Sequence, residues 1–331
     1  MASDLPDFAA VLAAAARLDG RIRRTPVFNS PEFDQRVGRR VWFKCENLQR
    51  GGAFKIRGAM NAVLQISAPA SGARTRVVTH SSGNHGAALA LAAADCGFEC
   101  VVIMPENSAA PKLAAVRAAG ARVVQCAAGI AAREAALAQL LAAAPAELVH
   151  PYDDARVIAG QGTVALELLQ DQPALTSLLA PVGGGGLIGG SALAVRGLRG
   201  LDCKVFAAEP AMADDAARSF RKRVRQPPGN PDTIADGLRG ALGVRNYELL
   251  VALVDDVVTV SEAEIVAAMR TVLQDLKLLV EPSSAVPVAA LLAGRVSLPP
   301  GDVGVILSGG NVDLAQCAFL SPRYSANRAQ F

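Results

Sequence analysis

The sequence predicts an α/β protein in which mainly parallel sheets are covered by helices. Apolar runs of strand length alternate with helical segments from residue 40 onward. Hydrophobic residues make up 51% of the 331 and aromatic residues only 4%, so the core must come from small and aliphatic side chains, which suit helices lying close on a sheet. Several strand-like runs end in glycine-rich turns, the places where sheets of this class bind ligands.

Taken in order, 40–45 reads as a strand, and a helix follows from Phe54. Residues 76–79 form a short strand, and the alanine-rich stretch 85–95 a helix. The apolar run 100–104 is a strand ended by Pro105, and the helix over 109–119 is stopped by Gly120. A strand over 121–126 and a helix over 130–144 come next. Beyond His150 the pattern gives a helix over 161–170, a strand over 178–182, a helix over 187–198 and strands over 204–208 and 256–260. Ser261 and Glu264 have the spacing of a capping box, in which hydroxyl and carboxylate satisfy free N–H groups at a helix start. The last strand covers 303–307. Repeated βα units of this kind give parallel strands with helices on both faces. The length corresponds to about two folding units or one large one.

Composition excludes several classes. A formal charge of +3 makes no large field, and scarce aromatics leave no base-stacking platform, so no nucleic-acid partner is expected. The basic run holding Arg218, Arg221, Lys222, Arg223 and Arg225 reads as a solvated face. Six cysteines form no CxxC pair, and with three histidines they argue against zinc. They read as buried thiols in a reducing compartment. Residues 172–195 carry no charge, but Pro181 and six glycines within 183–190 break a spanning helix, so no membrane partner is expected. The first seven residues show no signal peptide, which points to the cytoplasm.

Four turns can carry chemistry. Gly183, Gly184, Gly185 and Gly186 lie between a strand and a helix, where N–H groups without neighbouring Cβ atoms can converge on a phosphate; a flexible turn is the plain alternative. Their spacing is not that of a dinucleotide or nucleoside-triphosphate loop. Lys55 follows Gly51 and Gly52 between Phe54 and Ile56; apolar surroundings would favour its neutral amine, which can form a Schiff base, although a lysine at a helix start is commonly a surface charge. Ser81, Ser82, Asn84 and His85 gather at another helix start and can hold a carboxylate, or merely cap the helix. Ser308, before Gly309 and Gly310, can bond a heteroaromatic nitrogen or simply sit in a turn.

A phosphate cradle, a Schiff-base lysine, a carboxylate cradle and a partner for a ring nitrogen together suit pyridoxal phosphate and an amino acid. In these motifs the chain resembles the fold type II pyridoxal-phosphate enzymes, within them the serine/threonine dehydratase and serine racemase group. The resemblance also covers Glu46-Asn47-Leu48-Gln49, Ile158-Ala159-Gly160-Gln161-Gly162-Thr163, Thr233-Ile234-Ala235-Asp236-Gly237, Glu281-Pro282 and Asn311-Val312-Asp313. It implies two three-layer α/β/α domains of the tryptophan synthase β-like kind: a large one from 1–75 and 152–331 and a small one, 76–151, inserted in it, with no regulatory domain after them. It implies that Lys55 holds the cofactor and acts as base at Cα. Phe54 packs on the ring, Asn84 bonds the ring hydroxyl, Gly183, Gly184, Gly185 and Gly186 bind the phosphate, and Ser308 faces the ring nitrogen. Ser81, Ser82, Asn84 and His85 hold the substrate carboxylate, with Arg133 as a second contact, and Ser82 matches the opposite-face acid/base of serine racemases.

The activity so implied is a lyase that eliminates water from L-threonine or L-serine, releasing a 2-oxo acid and ammonia. Another 3-hydroxy amino acid (hydroxyaspartate, phenylserine, a hydroxyectoine product) and serine racemisation are the alternatives. Mg²⁺ or a similar cation is implied at Glu209, the Ala213 carbonyl and Asp215, and a homodimer is expected. The sequence departs from the group's common pattern at Gly51, where many members have threonine, at Ala53, where many have serine, and at Ala285 and Pro287 after Glu281-Pro282.

Overall fold

The structure, a computed structural model, describes residues 5–67, 75–81, 83–108, 110–313 and 317. The strands in chain order are β1 (Val27–Asn29), β2 (Val41–Cys45), β3 (Arg76–His80), β4 (Glu99–Pro105), β5 (Arg122–Cys126), β6 (Glu147–Leu148), β7 (Leu175–Pro181), β8 (Lys204–Pro210), β9 (Asp256–Val260) and β10 (Asp302–Leu307). They form a six-stranded sheet in the order β1-β2-β10-β7-β8-β9 and a four-stranded sheet in the order β5-β4-β3-β6. All pairings are parallel except β1 with β2.

The helices are α1 (Phe8–Leu18), α2 (Pro31–Val37), α3 (Lys55–Val63), α4 (Asn84–Asp95), α5 (Ala110–Ala118), α6 (Ile130–Ala143), α7 (Ala155–Asp171), α8 (Gly186–Arg199), α9 (Asp215–Lys222), α10 (Val244–Leu253), α11 (Glu262–Thr271) and α12 (Pro282–Leu292). Both faces of each sheet are covered, as the period-two alternation of strand side chains requires. On β7 and β8, Leu178, Ala180, Val205 and Ala207 join the core under α7 and α8, while Leu179, Phe206 and Ala208 join the core under α11 and α12. In the smaller sheet Val77, Val102 and Met104 face α3 and α4, and Val78, Val101 and Ile103 face Leu137 of α6. The 172–195 stretch divides into β7, the glycine turn and α8, and no helix among the described residues is long and apolar enough to cross a membrane.

Helix α7 begins at Ala155, six residues before the sequence expectation, because Asp154 caps it by accepting the Arg156 N–H at 2.8 Å. Its glycines serve close approach: a Cβ on Gly162 would stand 2.7 Å from the Gly190 carbonyl of α8. The Ser261–Glu264 capping box forms as its spacing predicts. Arg221, Lys222, Arg223 and Arg225 are exposed, and Arg218 pairs with Asp214. Four of the cysteines are buried as expected, whereas Cys96 and Cys317 are half-buried.

A buried charge cluster ties α3 to β2 and α7. Arg57 holds Glu46 through Nε and Nη2, both at 2.7 Å, and Glu167 through Nη1 and Nη2 at 2.7 and 2.9 Å. Lys44 adds an ion pair to Glu167 at 2.6 Å. Lys44, Glu46 and Arg57 are completely buried, so each charge depends on its partners. The helix that starts at Lys55 is thereby clamped two residues beyond it.

Candidate active site

A cleft of about 2210 Å³ is lined by both sheet bodies, at the carboxyl ends of β3, β4, β7 and β10. All four turns singled out in the sequence reach it. Parallel strands all deliver their following turns to one edge, which is how segments far apart in the chain meet there.

Lys55 is the first residue of α3, after the N-cap Phe54. Its Nζ donates to the Pro151 carbonyl at 3.0 Å and lies 4.9 Å from the centre of the Phe54 ring. Burial pushes its pKa down to about 8, partly offset by the Glu281 carboxylate. The turn before it is joined by main chain to the turn after β10. Phe54 N–H donates to the Ser308 carbonyl at 3.0 Å, Gly310 N–H donates to the Gly52 carbonyl at 2.9 Å, and Ala53 and Gly309 form a bridge between them. Ser308 is almost fully buried at the cleft wall.

The four glycines are enclosed from behind. A Cβ on Gly184 would meet the Tyr152 ring at 2.3 Å, and one on Gly185, whose φ is +93°, would meet Asn246 at 2.6 Å. Asn246 Nδ2 holds the turn in place by donating to the carbonyls of Gly184 and Tyr152 at 2.7 and 2.9 Å. Among the described residues, the N–H groups from Gly183 through Ile188 donate to no protein acceptor. Such a row of free donors at the positive end of a 14-residue helix fits a phosphate.

Asn84 begins α4. Its Nδ2 lies 3.0 Å from each carboxylate oxygen of Glu281, and its Oδ1 accepts from Asn311 Nδ2 at 3.0 Å. Ser81 lines the cleft, and its Oγ accepts the Gly83 N–H at 3.3 Å. Ser82 lies outside the described residues. The His85 imidazole is buried and turned toward the Val149 carbonyl, 3.2 Å from Nε2, so what His85 offers a carboxylate is its main-chain N–H at the helix start. Arg133 lines the cleft from α6, and its charge, after burial, helps push the His80 pKa down.

Glu209, near the end of β8, and Asp215, the first residue of α9, are buried, with Ala213 also buried between them in the chain. Glu209 accepts N–H bonds from Ala217 at 2.6 Å and Ala216 at 3.3 Å; Asp215 accepts one from Leu242 at 2.9 Å. Burial raises both pKa values; the Asp215 charge adds to the rise at Glu209, and at Asp215 the rise is partly offset by N–H bonds and Arg218. Neither is ion-paired among the described residues, and oxygen donors of this kind fit a hard cation. No cluster of three or more His, Cys, Asp or Glu suited to a metal is found among the described residues.

Several site groups were not singled out by the sequence. Glu281 figured only as part of a motif, yet it is buried, lines the cleft and interacts with the charges of Lys112 and Lys55. Lys112 of α5 pairs with Asp236 across the cleft. All three histidines line the cleft, with His150 packed edge-on against His80 and Tyr152. A glutamate directly before a helix-starting proline was the available signal for Glu281; the others meet only through the fold.

A family described as pyridoxal-phosphate dependent enzyme matches residues 18–309. Serine racemase of Arabidopsis thaliana is 43% identical over 315 residues, covering 93% of this chain and 94% of that protein. The β-hydroxyaspartate dehydratase of Paracoccus denitrificans (strain Pd 1222) is 42% identical over 310 residues, covering 94% and 98%. Among solved structures, a threonine deaminase from T.th. superposes with a TM-score of 0.88 at 38% identity, covering 93% and 99%.

Proposed function

Because the chain belongs to the pyridoxal-phosphate dependent enzymes, we propose that it removes the α-proton of a small 3-hydroxy amino acid and eliminates the β-hydroxyl as water, with β-hydroxyaspartate as the foremost substrate. The observation that carries this reading is the half-buried Lys55 amine, its pKa pushed down to about 8, in one cleft with the free N–H row of the glycine turn. The 42% identity with a β-hydroxyaspartate dehydratase supports the substrate, and Arg133 offers a cation at the cleft wall for a second carboxylate.

The cofactor, when bound, draws electrons away from the Cα of the amino acid it holds. The N–H groups from Gly183 through Ile188 would hold its phosphate, Phe54 one face of its ring, Asn84 its hydroxyl and Ser308 its ring nitrogen. The neutral Lys55 amine takes the proton from Cα, which a protonated lysine cannot do. Ser81, Asn84 and the His85 N–H fix the substrate carboxylate at the start of α4, so the Cα–H bond is presented in one orientation.

Serine racemisation is the second reading, favoured by the 43% identity with a serine racemase; Ser82 would supply the proton to the opposite face. Elimination from L-threonine or L-serine stands beside it through the likeness to threonine deaminase. Glu209, Asp215 and the Ala213 carbonyl would hold Mg²⁺ or a similar ion. The reading also takes 76–151 as a small domain inserted between 1–75 and 152–331, supported by the separate four-stranded sheet, and a homodimer as the assembly.

The test is a substrate panel on the cofactor-loaded protein: both hydroxyaspartate diastereomers, serine, threonine and phenylserine, with oxo-acid release and chiral analysis of residual serine. One hydroxyaspartate diastereomer is expected to turn over fastest. D-Serine as the main product would favour the racemase instead, and no turnover of any member would sink both.

A further inference from the structure

The Asn84 side chain has two amide hydrogens, and Glu281 engages only one. Asn84 Nδ2 is 3.0 Å from both Oε1 and Oε2. At that range the two oxygens of one carboxyl group subtend far less than the angle between the N–H bonds of an amide. A single N–H therefore points between them, and the other is left over. A carboxylate accepts and cannot donate, so it fixes which end of the amide faces it. The Asn311 Nδ2 contact to Asn84 Oδ1, 3.0 Å, fixes the opposite end, and Asn311 also donates to the Gly51 carbonyl at 2.7 Å. The result is a directed chain, Asn311 to Asn84 to Glu281, that leaves one Asn84 N–H to serve the cleft.

Glu281 is itself rigidly placed. It is 6% exposed, its N–H donates to the Gly309 carbonyl at 3.0 Å, and it precedes Pro282 at the start of α12. Position 309 has no room for a side chain, because a Cβ there would stand 2.8 Å from Oε1. The charged groups that face it are Lys55 of α3 and Lys112 of α5, with the Asn311 main chain donating as well; burial raises its pKa and these partners oppose the rise.

We propose that Glu281 is a positioning residue that acts through Asn84, holding the amide so that its free N–H meets the oxygen of the cofactor ring, and that it sets the electronic poise of the bound cofactor. The proposal rests on the placement of Asn84 given above. Glu281→Gln replaces a charged acceptor of both contacts by a neutral group with one oxygen. Glu281→Asp keeps the charge but withdraws it by one methylene.

Each variant and the wild type are loaded with pyridoxal phosphate. The visible band of the resting protein is recorded from pH 6 to 9, and the cofactor Kd is measured by equilibrium dialysis. Glu281→Gln is expected to displace the band or its pH dependence and to weaken cofactor binding about tenfold. Glu281→Asp is expected to lie between Glu281→Gln and the wild type. A Glu281→Gln protein with wild-type band, pH dependence and affinity overturns the proposal. Should that variant not fold, Glu281→Asp decides: a displaced band supports the proposal and a wild-type band overturns it. A wild-type protein that shows no band on loading refutes the underlying placement of the cofactor instead.

Discussion

The Lys55 amine, proposed to hold the cofactor, is set by its place in the chain and by its electrostatics. The first turn of α3 is fixed by Arg57, and burial pushes the pKa of the amine down to about 8, against the pull of the Glu281 carboxylate. The neutral amine reacts with an aldehyde, so cofactor uptake by the apoprotein should accelerate as pH rises from 7 to 9, with a midpoint near 8 rather than near the ordinary lysine value. Stopped-flow absorbance measures this, and Lys55→Ala should show no stable visible band. At Gly184 the constraint is space. Gly184→Ala drives a methyl into the Tyr152 ring and should cost about 1–3 kcal/mol in urea unfolding. Adding Tyr152→Ala should make the double variant less unstable than the two single penalties predict, because the clash disappears. Both residues show what a sequence exposes. Lys55 and the glycines stand in a local pattern whose chemistry can be read in order. Tyr152 gave no signal, because its role exists only against a turn about thirty residues further along the chain.

Helix α3 is held by charge rather than by apolar contact alone. Glu46→Gln would leave the Arg57 guanidinium buried and only partly compensated, at a cost of about 3–5 kcal/mol. Ser261→Ala removes one capping bond from α11 and should cost only about 1 kcal/mol. Comparing the two by chemical denaturation separates a structural ion cluster from a local cap. The start of α9 carries the opposite imbalance, two buried carboxylates, Glu209 and Asp215, that are not ion-paired among the described residues. Added Mg²⁺ should raise the melting temperature, with about 2.7 kcal/mol of stabilisation at a hundredfold excess over Kd, and a chelator should reverse it. An Asp215→Asn protein should lose that response. Most of the strands and their following helices were legible from alternation, because each buries a face with a fixed period. Helices α1, α2, α9, α10 and α12 were not singled out. The apolar, proline-containing α12 gives weak periodicity, and what fixes it is the surface on which it packs.

At the scale of the molecule, Lys112 of the four-stranded body reaches Asp236 of the six-stranded body across the cleft. Both side chains are partly exposed, so the pair should contribute less than about 1 kcal/mol to global stability. Its effect should be local: Asp236→Asn is expected to leave the unfolding midpoint nearly unchanged while increasing amide hydrogen exchange in α5. Unchanged exchange there would mean that the pair does not restrain the body that carries it. The juncture between the turns of Lys55 and Ser308 works differently, since main-chain bonds and the Ala53–Gly309 bridge set it. The bonds that fix the Lys55 turn against the Ser308 turn therefore use no side chain from positions 51 and 53. Those are two of the positions at which this chain departs from its group's common pattern. The two positions are not equivalent in what they allow: a side chain at 51 would strain a left-handed backbone of φ +71°, whereas 53 sits in extended backbone and is limited only by the space beside Gly309.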